Sequence, residues 1–425
     1  MSLPATRRFA ALRVPAYRRY FALTLLSMTA DNIEHVISYW VMFQTFQSPA
    51  LAGFAVISHW LPFLLFSLHA GALADRYDCR RLIQASQGLF MLASAGWGVL
   101  FLTGALEMWH AVVLLTVHGA AGVVAAPAVQ LMIHEMVPRG ELPSAIRLSA
   151  SARQLAILLG PAVGGGLMLL LGPAFGLLCN VLIFLPLVVF LARTRYTGHA
   201  GGVPPPERRP FGLPEMRAAL AAARLEPRIM TMIVLAGATS FFVGNAFQAQ
   251  MPEFALALGA DESGVRYSLL LAANAAGAVA GVVWLESARV LRPGVRTAIV
   301  CAALWALAIG LFPMARSFGL AISLLVLAGV FNIVFASMAQ TVVQLLAPAG
   351  MRGRIVGLFN TSLLGLRAGS GVTVGVLGAY IGVRLSLVLS ALAVALITVT
   401  LLVRDLRTRS RPLTAELLAE RQPLG

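Results

Sequence analysis

The sequence predicts an all-α membrane protein, with twelve transmembrane helices in two pseudo-symmetric six-helix bundles. Three observations predict it. Twelve apolar stretches are each long enough to cross a bilayer core of roughly 30 Å at about 1.5 Å per residue. The segments joining them alternate between basic and nearly uncharged. The two halves also repeat one another at an offset of 210 residues. Composition agrees: 59% of residues are hydrophobic and 12% charged, the latter about half the share of a soluble domain.

Taken in order, the spans carry their own topology. Arg7, Arg8, Arg13, Arg18 and Arg19 lead into span 1 (17–46), and an uncharged turn leads to span 2 (51–74). Arg76, Arg80 and Arg81 precede span 3 (82–104), whereas only Glu107 precedes span 4 (108–136). Arg139 and Arg147 surround the start of span 5 (145–171), and Gly172-Pro173 separates it from span 6 (174–193). A basic stretch with Pro204-Pro205-Pro206 then connects to spans at 228–257, 263–288, 294–315, 318–346, 352–380 and 383–403. On the sparsely charged side the basic residues are Arg266, Arg316 and Arg384. The positive-inside bias therefore puts both termini in the cytoplasm, with the protein expected in a bacterial inner membrane. The domain division that follows is 1–193 and 228–403 for the halves, 194–227 for the connecting loop and 404–425 for the tail.

Several function classes are excluded or disfavoured. A net charge of +15 would suggest nucleic acid in a soluble protein. Here the arginines are dispersed over short loops, where topology and anionic lipid headgroups account for them. The chain contains no lysine, so it has no Walker A lysine for nucleotide phosphates and none for a PLP Schiff base. No hydrolase motif lies in a soluble segment, and no soluble segment is large enough for a domain. An enzyme is not expected, nor a cofactor. Cys79, Cys179 and Cys301 are too scattered for a zinc knuckle or a disulfide framework.

The internal repeat is carried by specific residues. Span 4 ends with Gln130 eight residues before Pro138, and span 10 with Gln340 eight residues before Pro348. Gly71 at the end of span 2 maps onto Gly281 in span 8. Two repeated six-helix halves are the layout of secondary transporters that bind substrate near the bilayer midplane.

Two motifs then point to a family. The run Gly71-Ala72-Leu73-Ala74-Asp75-Arg76-Tyr77-Asp78-Cys79-Arg80-Arg81 resembles the GxLaDrxGrr signature of the major facilitator superfamily, with Asp78 where Gly is usual. In physical terms Gly71 is expected to permit close helix packing, Asp75 to face a helix N-terminus, and the arginines to meet carboxylates or lipid phosphates. The resemblance implies that Gly71, Asp75, Arg76, Arg80 and Arg81 form a cytoplasmic latch governing the conformational switch. Gly160-Pro161-Ala162-Val163-Gly164-Gly165 in span 5 resembles the end of the GPxxGG motif of the superfamily's exporters, although the motif's earlier glycines are absent. Gly160, Pro161, Gly164 and Gly165 are expected to let that helix bend at a tight interface. Gly350-Met351-Arg352-Gly353-Arg354 and the run to Arg367 resemble the branch of siderophore exporters and macrolide efflux pumps.

Ionisable side chains within a membrane are costly and mark function by default. Span 1 holds Ser27, Asp31, Glu34, His35 and Ser38 at i, i+4, i+7, i+8 and i+11, on one helical face. Asp31 lies about 18 Å inside Arg19 by helical rise. Asp31 and Glu34 are therefore candidate proton carriers, assisted by His35. Arg367 lies about 20 Å past Arg354 and needs an anionic partner, either one of these carboxylates or a substrate group. Arg153 is shallower and can snorkel. In the superfamily, spans 1, 4, 7 and 10 line the central cavity, which places Trp40, Gln130, Asn245, Gln248, Asn332 and Gln340 as candidate substrate contacts. His59, His69 and His118 have no close sequence partners and are expected to be cavity or packing residues, with no metal site assigned.

The expected function is proton-coupled export of an amphiphilic small molecule, a drug-like compound or a siderophore, by a monomeric alternating-access transporter in contact with membrane lipids and not with nucleic acid. A metal-ion exporter, a lipid flippase and an importer of the same fold are the alternatives.

Overall fold

The computed structural model describes residues 9–138, 140–199, 213–260, 263–288, 294–348 and 351–407. Pro204-Pro205-Pro206 and most of the expected cytoplasmic tail lie outside these residues. Among the described residues every regular element is a helix. Ten helical stretches among the described residues are long and apolar enough to cross a membrane. One of the ten, Leu155–Arg193, contains both the fifth and sixth expected spans. The first span is not among them: Asp31, Asn32, Glu34 and His35 lower its hydropathy.

In chain order, α1 (Pro15–Phe46) starts on a proline, whose missing N–H costs nothing in a first turn, and stops at Gln47 with φ 44°. α2 (Pro49–Arg76) is capped by the Ser48 hydroxyl, which accepts from the Leu51 N–H. α3 (Cys79–Thr103) is capped by Asp78 and ended by Gly104 at φ 66°. α4 (Met108–Met136) follows. α5 (Leu142–Arg193) runs through both expected spans, with the turn between them reduced to Gly172 at φ 76°, ψ 165°. Then come α6 (Leu213–Leu225) and α7 (Pro227–Phe242), the latter capped by Glu226.

Two expected helices are broken. The seventh span was expected to be continuous over 228–257; instead α7 stops, and short helices α8 (Ala246–Ala249) and α9 (Met251–Ala257) follow. The cause is Gly244 at φ 42°, where a side chain would also collide with the Ser370 hydroxyl. α10 (Val265–Ala288), α11 (Val295–Leu311) and α12 (Phe318–Leu346) are intact. The eleventh span instead alternates between α13 (Arg352–Asn360), α14 (Arg367–Ser370) and α15 (Leu377–Ile381), with π-helical turns at Thr361–Gly365 and Gly371–Val376. It is rich in glycine, and its carbonyls are partly diverted: the Ser386 hydroxyl donates to the Thr373 carbonyl at 2.7 Å. α16 (Val383–Arg407) closes the fold.

The chain divides into two compact units, Met1–Pro210 with Ala249–Ala272, and Phe211–Gln248 with Ala273–Gly425. In the first, a core around Tyr17, Tyr20, Ile83, Met132 and Leu187 is buried, and the Tyr17 hydroxyl donates to the Ala145 carbonyl at 3.0 Å. Residues 249–272 join this unit through Gln250, which donates to the Pro49 carbonyl at 2.8 Å, and Tyr267, which donates to the Val36 carbonyl at 3.1 Å. In the second unit, Ile229, Met232, Ile299, Phe335, Val342 and Phe359 belong to the core. Outward side chains such as Leu169, Leu170, Leu182, Leu307 and Leu396 are exposed, as lipid contact requires.

The 210-residue repeat is visible in how helices touch. A Cβ on Gly119 of α4 would strike the Ser58 carbonyl of α2, and one on Gly329 of α12 would strike the Asn274 carbonyl of α10. The two glycines are 210 positions apart, and each allows backbone-to-backbone contact in its own unit.

Candidate functional site: a buried histidine–carboxylate cluster

The polar face of α1 is where the first unit gathers its charge. Ser27, Glu34 and Ser38 are buried, while Asp31 and His35 keep side-chain exposures of 28% and 21%. The group that organises them is His118 of α4, which is 3% exposed. Its Nδ1 donates to Glu34 Oε1 at 2.8 Å. Its Nε2 lies 2.9 Å from Asp31 Oδ1, yet the two atoms are not aligned as a hydrogen bond, and both remain without one among the described residues. A neutral imidazole carries a single N–H. Once Nδ1 donates to Glu34, Nε2 sets a lone pair against the Asp31 oxygen unless a cation intervenes. A proton, on the ring or on the carboxylate, is the simplest one.

The surroundings hold this arrangement in place. Glu34 Oε2 accepts from the Ser94 hydroxyl at 2.5 Å, and Ser94 accepts from Asn180 Nδ2, which also donates to the Ala30 carbonyl. His35 Nδ1 donates to the Asp31 carbonyl at 2.9 Å, because a carbonyl only accepts. Phe90 presses edge-on against His118, with centroids 4.8 Å apart, and stacks on Phe184. His59 of α2 completes the group, its ring centroid 5.0 Å from that of His35 and 5.5 Å from that of His118.

One expectation is corrected here. His118 was expected to be a packing or cavity residue, and it is the hub of the cluster. Asp31 and Glu34 both lie against His118 within the first unit, while Arg367, expected to pair either with one of these carboxylates or with a substrate group, belongs to the second unit. The signal for His118 was an ionisable residue in an apolar span directly before a packing glycine. Its partners are 84 and 87 positions away on another helix, out of reach of any sequence-neighbour test.

The remaining candidates are dispersed. Asn245, Gln248 and Asn332 line a small cavity of about 70 Å³ in the second unit, together with Asn274 and Arg367. Asn245 Nδ2 donates to Gln248 Oε1 at 3.2 Å. That volume suits a carboxylate-sized group or one or two waters. Gln130 and Gln340 are exposed and do not contribute to this cavity. Trp40 is buried and stacked on Tyr267, centroids 5.2 Å apart. Arg153 is exposed and makes no ion pair among the described residues. Gly160 abuts Asn32 of α1, Gly164 abuts Val36, and Gly165 faces the Ser268 hydroxyl, while Pro161 lies inside α5.

The latch motif sits at the end of α2. Asp78 caps α3 and pairs with Arg80 at 2.7 Å, and Arg80 also donates to the Thr194 carbonyl at 2.6 Å. His199 Nε2 reaches the Ala74 and Asp75 carbonyls at 3.1 and 3.2 Å. The motif is therefore tied to the segment that follows α5. Arg76 and Arg81 are exposed and Asp75 half-buried. Gly71 departs from expectation: a Cβ there would meet nothing within 4 Å, whereas its repeat partner Gly281 is packed against Ile333 and Val330.

Partial burial raises the Asp78 carboxyl, but the hydrogen bonds and charge of Arg80 outweigh it and hold the group below the ordinary carboxylate value. A depressed folded-state pKa stabilises the loop above the unfolded carboxylate pKa and is lost as pH falls through the folded value. Asp78→Ala is expected to cost about 1 kcal/mol, mostly from the lost cap, and to flatten the acid limb of thermal stability. Melting curves of detergent-solubilised protein across the acid range check this.

Comparison with known proteins agrees with this architecture. The family model described as "transmembrane secretion effector" matches residues 6–420. The chain is 25% identical over 411 residues to a protein of Bacillus subtilis (strain 168) described as the uncharacterized MFS-type transporter YfiS, covering 88% of this chain and 89% of that one. It is 23% identical over 147 residues to the staphyloferrin A transporter of Staphylococcus aureus (strain NCTC 8325 / PS 47), a match covering 34% of this chain and 37% of the other. Among solved structures, it resembles a bacterial homologue of the human lysosomal transporter Spinster, in an inward-facing and occupied conformation (TM-score 0.70, 15% identity, 97% and 99% of the two chains). The nucleoside transporter NupG gives a TM-score of 0.71 at 12% identity, over 91% and 98% of the chains. With a family model spanning nearly the whole chain and the fold shared by these transporters, the protein belongs to the transmembrane secretion effector family of major facilitator transporters, and it is not an enzyme.

Proposed function

We propose that this transporter exports an amphiphilic small molecule, a drug-like compound or a siderophore, in exchange for protons that enter through the Asp31–His118–Glu34 cluster. The observation that carries the coupling is the pair of carboxylates on one imidazole, an arrangement whose buried charge falls from −2 to −1 when it takes up a proton. Asp31 is the more exposed carboxylate and exchanges the proton with water. Glu34, locked by Ser94, is the fixed anion that holds His118 in position, and His35 contacts both His118 and Asp31. Export accords with the secretion description of the family, and the staphyloferrin A transporter makes a siderophore a reasonable first substrate to test.

In this reading the halves are residues 1–193 and 228–403, joined by 194–227 and followed by a cytoplasmic tail from 404. They alternate access as a monomer in a bacterial inner membrane, with both termini in the cytoplasm. Asn245, Gln248, Asn332 and Arg367 contact the polar end of the substrate, and the apolar remainder meets the surrounding helices. Asp75, Arg76, Arg80 and Arg81 serve as the cytoplasmic latch.

The test is proton movement in proteoliposomes. An internal pH dye is followed while siderophores, lipophilic cations and macrolides are added, with wild type compared against Asp31→Asn. A substrate-triggered pH change that is lost in the variant is the expected result. An equal pH change in both proteins would remove Asp31 from coupling. Substrate transport by wild type with no pH change would overturn proton coupling itself.

A further inference from the structure

His35, His59 and His118 come from three different helices, and one ring nitrogen of each lies within 4.8 Å of one from each of the others. We propose that these three imidazoles, with the Asp31 carboxylate as fourth ligand, form a binding site for a divalent transition-metal ion of the zinc and cobalt class. This goes beyond the coupling reading and does not depend on it.

The donor set is the first support. Three imidazoles and one carboxylate suit a four-coordinate borderline cation, and they do not suit magnesium or calcium, which take oxygen ligands. The tautomers are the second. A histidine that binds a metal nearly always donates its other ring N–H to a carbonyl or carboxylate. His35 Nδ1 donates to the Asp31 carbonyl and His118 Nδ1 to Glu34 Oε1, which leaves the lone pair of each on Nε2. Glu34 is itself held by Ser94 and, through it, Asn180. For two of the three histidines the outer hydrogen bonds that a metal site requires are therefore already made.

The third support is the close approach of His118 Nε2 and Asp31 Oδ1. Both atoms are buried, lie 2.9 Å apart and form no hydrogen bond among the described residues. Two ligand atoms converging on one cation take this relation. A tetrahedral zinc site with Zn–N bonds of about 2.0–2.1 Å places its nitrogens about 3.4 Å apart. From at most 4.8 Å, a shift of the half-exposed His59 side chain, with His35 pivoting about its Nδ1 bond to the Asp31 carbonyl, closes the difference. Their partial exposure also gives an ion a way in. Once bound, the ion cross-links α2 to α1 and α4.

The experiment is Co²⁺ titration of tag-free, detergent-solubilised full-length protein, followed by visible absorption. The expected result is one Co²⁺ per chain with the intense d–d bands of a four-coordinate site, displaced by Zn²⁺. His59→Gln and His118→Gln are each expected to weaken binding more than about tenfold, since even an outer-shell partner is worth 10- to 100-fold. Equal binding by wild type and by the triple variant H35Q/H59Q/H118Q would show adventitious binding elsewhere and overturn the proposal. So would the absence of four-coordinate bands in wild type. X-ray absorption of Zn²⁺-loaded wild type needs no variant: imidazole scattering from three ligands supports the site, and an oxygen-only shell contradicts it.

Discussion

His118→Ala is expected to abolish proton-driven transport and to destabilise the protein by roughly 3–5 kcal/mol, the cost of breaking a buried ion pair on one side. Removing the imidazole leaves the buried Glu34 with Ser94 as its only remaining partner in the described hydrogen bonds. It also leaves Asp31 without the nitrogen 2.9 Å away. The loss should be conditional on that charge. In the His118→Ala background, Glu34→Gln is expected to recover part of the stability, because an amide is far cheaper to bury alone than a carboxylate. It should recover none of the proton-driven transport. Thermal unfolding in detergent and transport in proteoliposomes, run on the single and double variants, separate the two effects. Additive losses in stability would mean that His118 and Glu34 do not act as a pair.

Gly119→Val is expected to be the most damaging apolar substitution in the first unit. The added Cβ falls inside contact distance of the Ser58 carbonyl and close to His59 Cα, and backbone cannot rotate away as a side chain can. Relief requires α2 and α4 to separate, at about 1–3 kcal/mol or more for the overpacking. Because the neighbouring His118 and His59 belong to the cluster, separation also pulls the cluster apart. Gly329→Val should act alike in the second unit, against the Asn274 carbonyl and Gly277. Gly88→Ala, where a Cβ meets nothing within 4 Å, should leave the melting temperature nearly unchanged. Similar melting temperatures for all three variants would contradict this account of the helix contacts.

The parts of the fold legible in the sequence are those with local or periodic causes. The α1 face from Ser27 to Ser38 follows from helical spacing, and the break at Gly172 from Gly-Pro. The repeat follows from glutamine and proline positions and returns in the Gly119–Gly329 correspondence. Breaks within α7 and the eleventh span were hidden because continuous apolar composition reads as continuous helix. The cause of the first is a contact, Gly244 against Ser370, that joins positions 126 residues apart. The site divides in the same way. Asp31, Glu34 and His35 stand out on one helix, whereas the partner that gives them meaning reaches them only through packing of α4 on α1. Asp78 is a smaller case. It stands where the family's motif usually has glycine, and the structure shows the reason it serves there: its carboxylate caps α3 and holds Arg80.

The most direct test of the central claim, that this cluster couples protons to export, compares two transport modes in the same proteoliposomes. Substrate exchange at equal pH needs only the conformational cycle, whereas uphill transport driven by a pH gradient needs the coupling site as well. For Glu34→Gln and Asp31→Asn the account predicts exchange close to wild type with gradient-driven accumulation lost. Gradient-driven accumulation at the wild-type level in both variants would contradict it, and the cluster would then be a structural element of the first unit.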